Sequence, residues 1–265
     1  MSTNVLRVGD PQLLQAADDN NCVFWQQFGE ITQSCYPWTE RFAGYISGVR
    51  HPLYNGIVRC TCGGDEFTEN LTWWTETLQS EELPAVWWVP PGPEQERLGS
   101  VLLERGWRLV IKEPAMAVAL SSPLEHPILH NQLQVYGVSG EAARRQWAEL
   151  LCLGIDLDAT TTADAVALEA QLSDERNRFL GYWDGVPVAT AANVLHAGVA
   201  GIYAVSTLPA YRGRGIGSAI TLYAMEAARQ RGYATAVLTS TEMGFPVYKK
   251  LGFEVQGYYQ VYARE

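Results

Sequence analysis

The sequence predicts an α/β protein of the α+β kind, with a mixed central sheet flanked by helices. Three observations carry this. Short apolar runs of strand character alternate with helical stripes along most of the 265 residues. A glycine-rich turn, Arg212-Gly213-Arg214-Gly215-Ile216-Gly217, joins a strand-like run to a helical one. A polar stretch with two prolines, Ser121 to Asn131, divides the chain into two parts that each repeat the alternation. The length suits one large domain or two ordinary ones, and the 47% apolar share is enough for a packed core.

The first part opens with a helix starting near Asp10-Pro11, its Leu13, Leu14, Phe24, Trp25 and Phe28 turned to a core. Asn55-Gly56 reads as a turn before a strand from Ile57 to Thr61. Phe67, Leu71, Trp74 and Leu78 recur at helical spacing over Glu66–Gln79. Ala85–Val89 is a buried strand, and Trp73, Trp74, Trp87 and Trp88 are core residues. Leu98–Arg105 is a helix stopped by Gly106, and Trp107–Ile111 and Ala115–Leu120 are two further strands.

The second part begins with a strand over Leu133–Val138. Helices follow over Glu141–Leu153 and Thr161–Leu172, the latter capped at Thr161 or Thr162. Asp184-Gly185 joins Arg178–Trp183 to Val186–Leu195 as a hairpin, since that dipeptide tolerates the positive φ of a two-residue turn. Val199–Val205 is the next strand. After the glycine turn, Ile216, Ile220, Tyr223 and Ala227 mark a helix that Gly232 ends. Thr235–Ser240 is a strand, Gly244–Leu251 a short helix, and Phe253–Tyr262 the last strand or pair of strands. The domains are therefore residues 1–127 and 128–265.

Composition excludes several functions. A formal net charge of -10 argues against nucleic acid or an anionic membrane as partner, because both reward clustered Lys and Arg. No apolar run reaches spanning length. The five cysteines fit no zinc spacing, so no metal is expected; without a secretory signal they predict reduced thiols in a cytoplasmic protein.

The glycine turn carries the chemistry. Glycines let backbone approach a ligand closely, and the free N–H groups opening a helix bind anions, so a ligand with a pyrophosphate is the natural inference. The dinucleotide pattern G-x-G-x-x-G fails: from Gly213 its last position is Ser218, and from Gly215 it is Ile220. No Gly-Lys-Ser/Thr follows, which removes the P-loop.

Two motifs together resemble the GCN5-related N-acetyltransferase (GNAT) superfamily. Arg212 to Gly217 is similar to its R/Q-x-x-G-x-G/A turn. Tyr248-Lys249-Lys250-Leu251-Gly252-Phe253 is similar to its late Y-x-x-x-G-F segment. The resemblance covers about residues 130–265 and implies a GNAT-like fold there; the first part resembles a degenerate copy without the glycine turn, making two such domains in tandem.

This resemblance implies an N-acetyltransferase moving an acetyl group from acetyl-CoA to a primary amine of a small molecule or peptide, in a monomer or homodimer. It places the backbone of Arg212, Gly213, Arg214, Gly215, Ile216, Gly217 and Ser218 around the pyrophosphate, with Arg212 or Arg214 adding charge. It makes the strand ending at Val205 splay from its neighbour, so that Tyr203, Ala204 and Val205 pair with the pantetheine arm and polarise the thioester carbonyl. Tyr248 becomes the general acid, and Thr241 stands where the family often has Asn. A general base stays open among Asp156, Asp158, Glu242 and His196, and Asp156 and Asp158 also suit an ammonium group. The alternative is a module that binds acyl-CoA as a sensor or scaffold without turnover.

Overall fold

A computed structural model describes residues 5–32, 41–61, 63–120, 132–172 and 177–264; the expected linker, 121–131, lies outside them. The elements in chain order are α1 (Leu13–Thr32), β1 (Phe42–Ile46), β2 (Asn55–Cys60), α2 (Gly64–Ser80), β3 (Ala85–Val89), α3 (Gln95–Glu104), β4 (Arg108–Ala119), β5 (Leu133–Gly137), α4 (Glu141–Gly154), α5 (Ala159–Glu169), β6 (Asn177–Trp183), β7 (Val186–His196), β8 (Val199–Thr207), α6 (Ile216–Gln230), β9 (Thr235–Thr239), α7 (Phe245–Lys250) and β10 (Glu254–Arg264).

The chain divides into two compact units that no single cut separates. One joins Met1–Asn20 to Ala115–Gln256, the other Asn21–Pro114 to Gly257–Glu265. This differs from the sequence expectation of 1–127 and 128–265, and the contacts explain why. Leu6, Leu13 and Ala16 bury against Ala117, Val199 and Val237, which ties the N-terminus to the later strands. The end of β10 pairs antiparallel with β3, from Gln260↔Val89 to Arg264↔Ala85, which ties the C-terminus to the earlier ones.

In the larger unit the strands run β4-β9-β8-β7-β6-β5. β5 to β8 form an antiparallel meander. Asp184 and Gly185 turn the β6–β7 hairpin with φ of 48° and 80°, the two positive values that a primed two-residue turn requires. Strand alternation sends Ala200 and Ile202 into a core with Ile216, Ile220 and Met225 of α6. Val199 points the other way, toward α1. Tyr223, expected on the buried stripe, is 37% exposed and meets Phe179 edge-on. Asp158, not Thr161 or Thr162, caps α5, accepting from the Thr160 and Thr161 amides at 2.9 and 3.0 Å.

The smaller unit has β2 antiparallel to β1 and parallel to β3, with α2 and α3 burying Phe67, Leu71, Trp74 and Leu102 in one core with Trp87 and Trp107. Trp73 departs from expectation: it is 36% exposed, because its neighbour Trp74 takes the inward helical position. Asn55-Gly56 does not turn but begins β2. Asn55 is fully buried, its Nδ2 donating to the Val49 carbonyl at 2.8 Å, and a Cβ on Gly56 would press on the Val86 carbonyl at 2.5 Å. The residues on either side of Pro114 form the one strand β4, not two, and β10 is likewise continuous. Proline is tolerated in a strand where its missing N–H leaves no ladder bond unmade.

Candidate functional site

The site grows from the way β8 leaves its parallel neighbour. β8 and β9 pair only at Ala200↔Ala236 and Gly201↔Val237. Beyond these, β9 continues to Thr239 and β8 to Thr207 with no further pairing between them. The two strands therefore part toward their carboxyl ends, where open α/β sheets bind ligands. On its other edge β8 stays paired with β7 but bulges. Ala192 faces Tyr203 and Thr190 faces Ser206, so Ala204 and Val205 together oppose Ala191. Ala204 sits at φ 51°, a left-handed conformation uncommon for a residue with a side chain. The Thr190 hydroxyl donates to the Ala204 carbonyl at 2.8 Å and holds the kink. Tyr203, Ala204 and Val205 are thus all on the partly exposed, splayed segment.

The glycine turn follows directly. Gly213 and Gly215 have φ of 76° and 77°, and Gly215 is the N-cap of α6. A Cβ at either would meet nothing within 4 Å, so backbone conformation, not crowding, explains the glycines. The first helical bond runs from the Ala219 amide to the Gly215 carbonyl at 3.0 Å. Among the described residues, the amides of Gly213, Arg214, Gly215, Ile216, Gly217 and Ser218 donate to no protein acceptor. Six successive unspent donors lie at the positive end of a 15-residue helix, an arrangement suited to an anion.

The two arginines differ in what they do. Arg212 donates from Nε to the Thr207 carbonyl at 3.1 Å and from Nη2 to the Gly154 carbonyl at 2.8 Å. It ties the end of β8 to the end of α4, and its charge adds to the turn from there. Arg214 is exposed, its guanidinium 5.2 Å from the Tyr211 ring centre and 5.7 Å from that of Trp183. Its one hydrogen bond, to the Ala210 carbonyl, is a long 3.4 Å, so most of its donors remain available to an anion.

Tyr248 is buried on α7, which starts after the carboxyl end of β9. Its ring packs edge-on to Phe253 at 5.8 Å. Burial pushes the phenol up to about 12, so it is firmly protonated at neutral pH. Gly244 lets the ring settle: a Cβ there would stand 2.8 Å from it. Thr241 begins the turn that leads into this short helix, its hydroxyl and carbonyl both accepting from the Gly244 amide.

Of the residues weighed as a base, Asp158 is committed as the α5 cap, and its hydrogen bonds to Thr161 hold its carboxyl below the usual range. Asp156, Glu242 and His196 are exposed. Two residues that sequence reasoning missed lie close to the splay. Asn20 is fully buried on α1 and accepts at Oδ1 from the Tyr203 hydroxyl at 2.9 Å. Ser206 is buried, and its hydroxyl has no hydrogen-bond partner. No motif marks either; Asn20 sits in a run of helix polar residues, 183 positions from its partner. Among the described residues no group of three His, Cys, Asp or Glu could hold a metal ion, and no helix is long and apolar enough to cross a membrane.

Comparison with known proteins shows what part of the chain is similar to. Residues 145–253 match the model of the Acetyltransferase (GNAT) family. No curated protein matches the chain. Among solved structures, a GCN5-related N-acetyltransferase from Kribbella flavida superposes with a TM-score of 0.66 at 21% identity, covering 94% of this chain and 95% of its own. One from Sphaerobacter thermophilus gives 0.59 at 18% identity, over 76% of this chain and 68% of that one. A tandem GNAT protein from the clavulanic acid biosynthesis pathway gives 0.55 at 13% identity, over 79% and 74%. At these identities the likeness is one of fold.

Proposed function

We propose that this chain, whose residues 145–253 match the GNAT acetyltransferase family model, transfers an acetyl group from acetyl-CoA to a primary amine of a small molecule or peptide. The observation that carries the reading is the run of six unspent amides, Gly213 to Ser218, at the mouth of a splayed parallel strand pair. A pyrophosphate takes up such donors without displacing any protein bond. Arg214 adds a charge-assisted bond, and Arg212 fixes the frame. From that anchor a pantetheine arm runs between β8 and β9 along the β9-facing edge of Tyr203 to Val205, whose backbone polarises the thioester carbonyl.

The reaction needs no metal and no covalent intermediate on the protein. The amine nitrogen attacks the thioester carbon, a C–N bond forms, and the C–S bond breaks with its electron pair leaving on sulfur. The nitrogen loses one proton and the sulfur gains one. Tyr248 suits the sulfur end of that exchange, since a buried phenol stays protonated. With its pKa above the about 8.5 of a thiol, the phenol donates a hydrogen bond to the departing sulfur, and because transfer from it is uphill, any proton it gives to sulfur is returned to the phenolate by the ammonium-like nitrogen formed in the attack. The smaller unit, with its mixed sheet and without a glycine turn, reads as a reduced relative of the same fold.

The test is thiol release from acetyl-CoA with a panel of primary amines. Release that depends on both substrates is expected. Tight acetyl-CoA binding without release for any amine would move the reading to a non-catalytic acyl-CoA module.

A further inference from the structure

We infer that Trp147 of α4 and Thr190 of β7 are positioning residues for the acyl transfer, which together hold the β8 kink at Ala204 and so aim the backbone of Tyr203 to Val205 along the edge that faces β9. This rests on the acetyltransferase reading above.

The kink is costly, and the sheet does not require it. Ala204 sits at φ 51°, and a residue with a side chain keeps that conformation only where its surroundings over-determine it. Backbone held in this way clusters at binding and reacting sites. β7 and β8 pair on both sides of the bulge, from Ala189↔Thr207 and Thr190↔Ser206 to Ala192↔Tyr203 and on to His196↔Val199. A β8 with one residue fewer would make the same hairpin. What the extra residue adds is a change in the direction of the strand. The change falls just past Gly201↔Val237, the last pair that β8 shares with β9.

Two side chains act on adjacent residues of β7 at this point. Thr190 is fully buried, and its hydroxyl donates to the Ala204 carbonyl at 2.8 Å. Its neighbour Ala191 is the residue that Ala204 and Val205 oppose, and the Ala191 carbonyl accepts from the Trp147 indole Nε1 at 3.1 Å. Thr190 thus fixes the bulged strand, and Trp147 fixes the strand it bulges from. Trp147 reaches β7 from α4, which packs across β7 and β8.

The indole is itself locked. Trp147 is fully buried, the Arg178 guanidinium carbon stands 5.2 Å from its ring centre, and the Glu169 carboxylate lies 3.7 Å from Arg178 Nη2. Arg178 and Glu169 are each 2% exposed. A buried ion pair is a weak source of stability, because desolvation offsets its attraction. A cation held over an indole face does fix the ring plane. Arg178 also stands opposite Ala192 on β6, so the line from Glu169 through Arg178 and Trp147 ends beside the bulge. The reaction needs such a frame. A thioester oxygen is stabilised only by a donor already standing where the charge develops, and a misplacement of about 1 Å can cost roughly 10²-fold in rate.

The experiment uses the full chain with acetyl-CoA and four probe amines: ethanolamine, putrescine, glycinamide and glucosamine. Thiol release gives KM and kcat, calorimetry gives acetyl-CoA affinity, and amide NMR of the ligand-free chain reports on Ala204 and Val205. For the best probe, Thr190→Val is expected to lower kcat and kcat/KM together by about tenfold, with the amine KM and acetyl-CoA affinity held within about twofold. Thr190→Ser, which keeps the hydroxyl and loses a methyl, should keep kcat within about twofold. Trp147→Phe, which keeps a ring and loses the N–H, should lower kcat about threefold. The double variant Trp147→Phe/Thr190→Val should lose about tenfold, as Thr190→Val does alone, because both act on one kink. The Ala204 and Val205 amides should shift in Thr190→Val and Trp147→Phe and stay in place in Thr190→Ser. If Trp147→Phe does not fold, the two Thr190 variants decide, since valine keeps the volume of threonine. A purely structural role would make activity follow the melting temperature and not the hydroxyl, so equal losses in Thr190→Ser and Thr190→Val overturn the inference. A wild-type chain that releases no thiol overturns the acetyltransferase reading and the inference with it; an active wild type whose kcat is unmoved in Thr190→Val overturns the inference alone.

Discussion

Gly215→Ala separates a turn that is merely tight from one that binds. The residue sits at φ 77° and ψ 2°, where a side chain costs roughly 1–2 kcal/mol of backbone strain. No clash adds to this, because the new methyl meets no protein atom within 4 Å. For a chain of this size that strain lowers the melting temperature by about 2–8 °C. The strain falls within the run of six unspent amides, so a backbone shift that relieves it turns an amide away from a bound phosphate. Losing one charge-assisted bond of about 1.5–3 kcal/mol weakens acetyl-CoA binding roughly 10- to 100-fold. Scanning calorimetry reads the first effect and titration calorimetry the second. A variant that loses the expected stability but binds acetyl-CoA as tightly as wild type would refute the assignment of this turn to the pyrophosphate.

Other perturbations bear on separate parts of the account. Tyr248→Phe is expected to lower kcat by about 10²-fold with acetyl-CoA affinity nearly intact. In the wild type, the alkaline fall in kcat from its ionisation should begin only above about pH 11, because burial carries the phenol to about 12; a limb near the ordinary tyrosine value of 10 would contradict this. The arginines should divide by role: Arg212→Ala costs stability, about 1–3 kcal/mol in denaturant titration, by releasing the Thr207 and Gly154 carbonyls, whereas Arg214→Glu weakens acetyl-CoA binding in a salt-dependent way with little change in stability. Glu113 has its carboxyl raised from 4.5 to about 7 by burial, so the folded state favours its neutral form. Its contribution is complete below 4.5 and is lost as pH rises through about 7, worth about 3 kcal/mol at most. Glu113→Gln should therefore melt several degrees higher than wild type at pH 8 and almost equally at pH 4; equal melting at both would remove burial as the cause.

Local chemistry was legible in the sequence, and long-range chemistry was not. Gly213 and Gly215 announce positive φ, and Asp184-Gly185 announces a primed turn, because each demand falls on one or two adjacent residues. The splay is different. Tyr203 to Thr207 read as ordinary strand, and nothing in their side chains reports that β9 stops pairing at Val237. The bulge at Ala204 is likewise silent, since alanine rarely takes a left-handed conformation and is held there by Thr190, fourteen positions away. Arg212 illustrates the ambiguity of a charged residue beside glycines. Sequence offers its guanidinium to a ligand, whereas the fold spends it on two backbone carbonyls. Asn55-Gly56 shows the same failure in the smaller unit, where tertiary contacts recruit a turn dipeptide into β2. The interleaved units were hidden because β10 pairs with β3 across most of the chain length, and Asn20 bonds β7 and β8 across as much. Proline at 123 and 127 suggested a single boundary that those pairings do not follow.

The most direct measurement is a titration of the isotopically labelled chain with acetyl-CoA, read at each backbone amide by NMR. The account expects one saturating site, with the largest shifts at Gly213 to Ser218, whose amides have no protein acceptor, and a second group at Tyr203 to Val205, on the edge of β8 that has left β9. Shifts confined to other residues, or none at these amides while binding is evident by calorimetry, would contradict it.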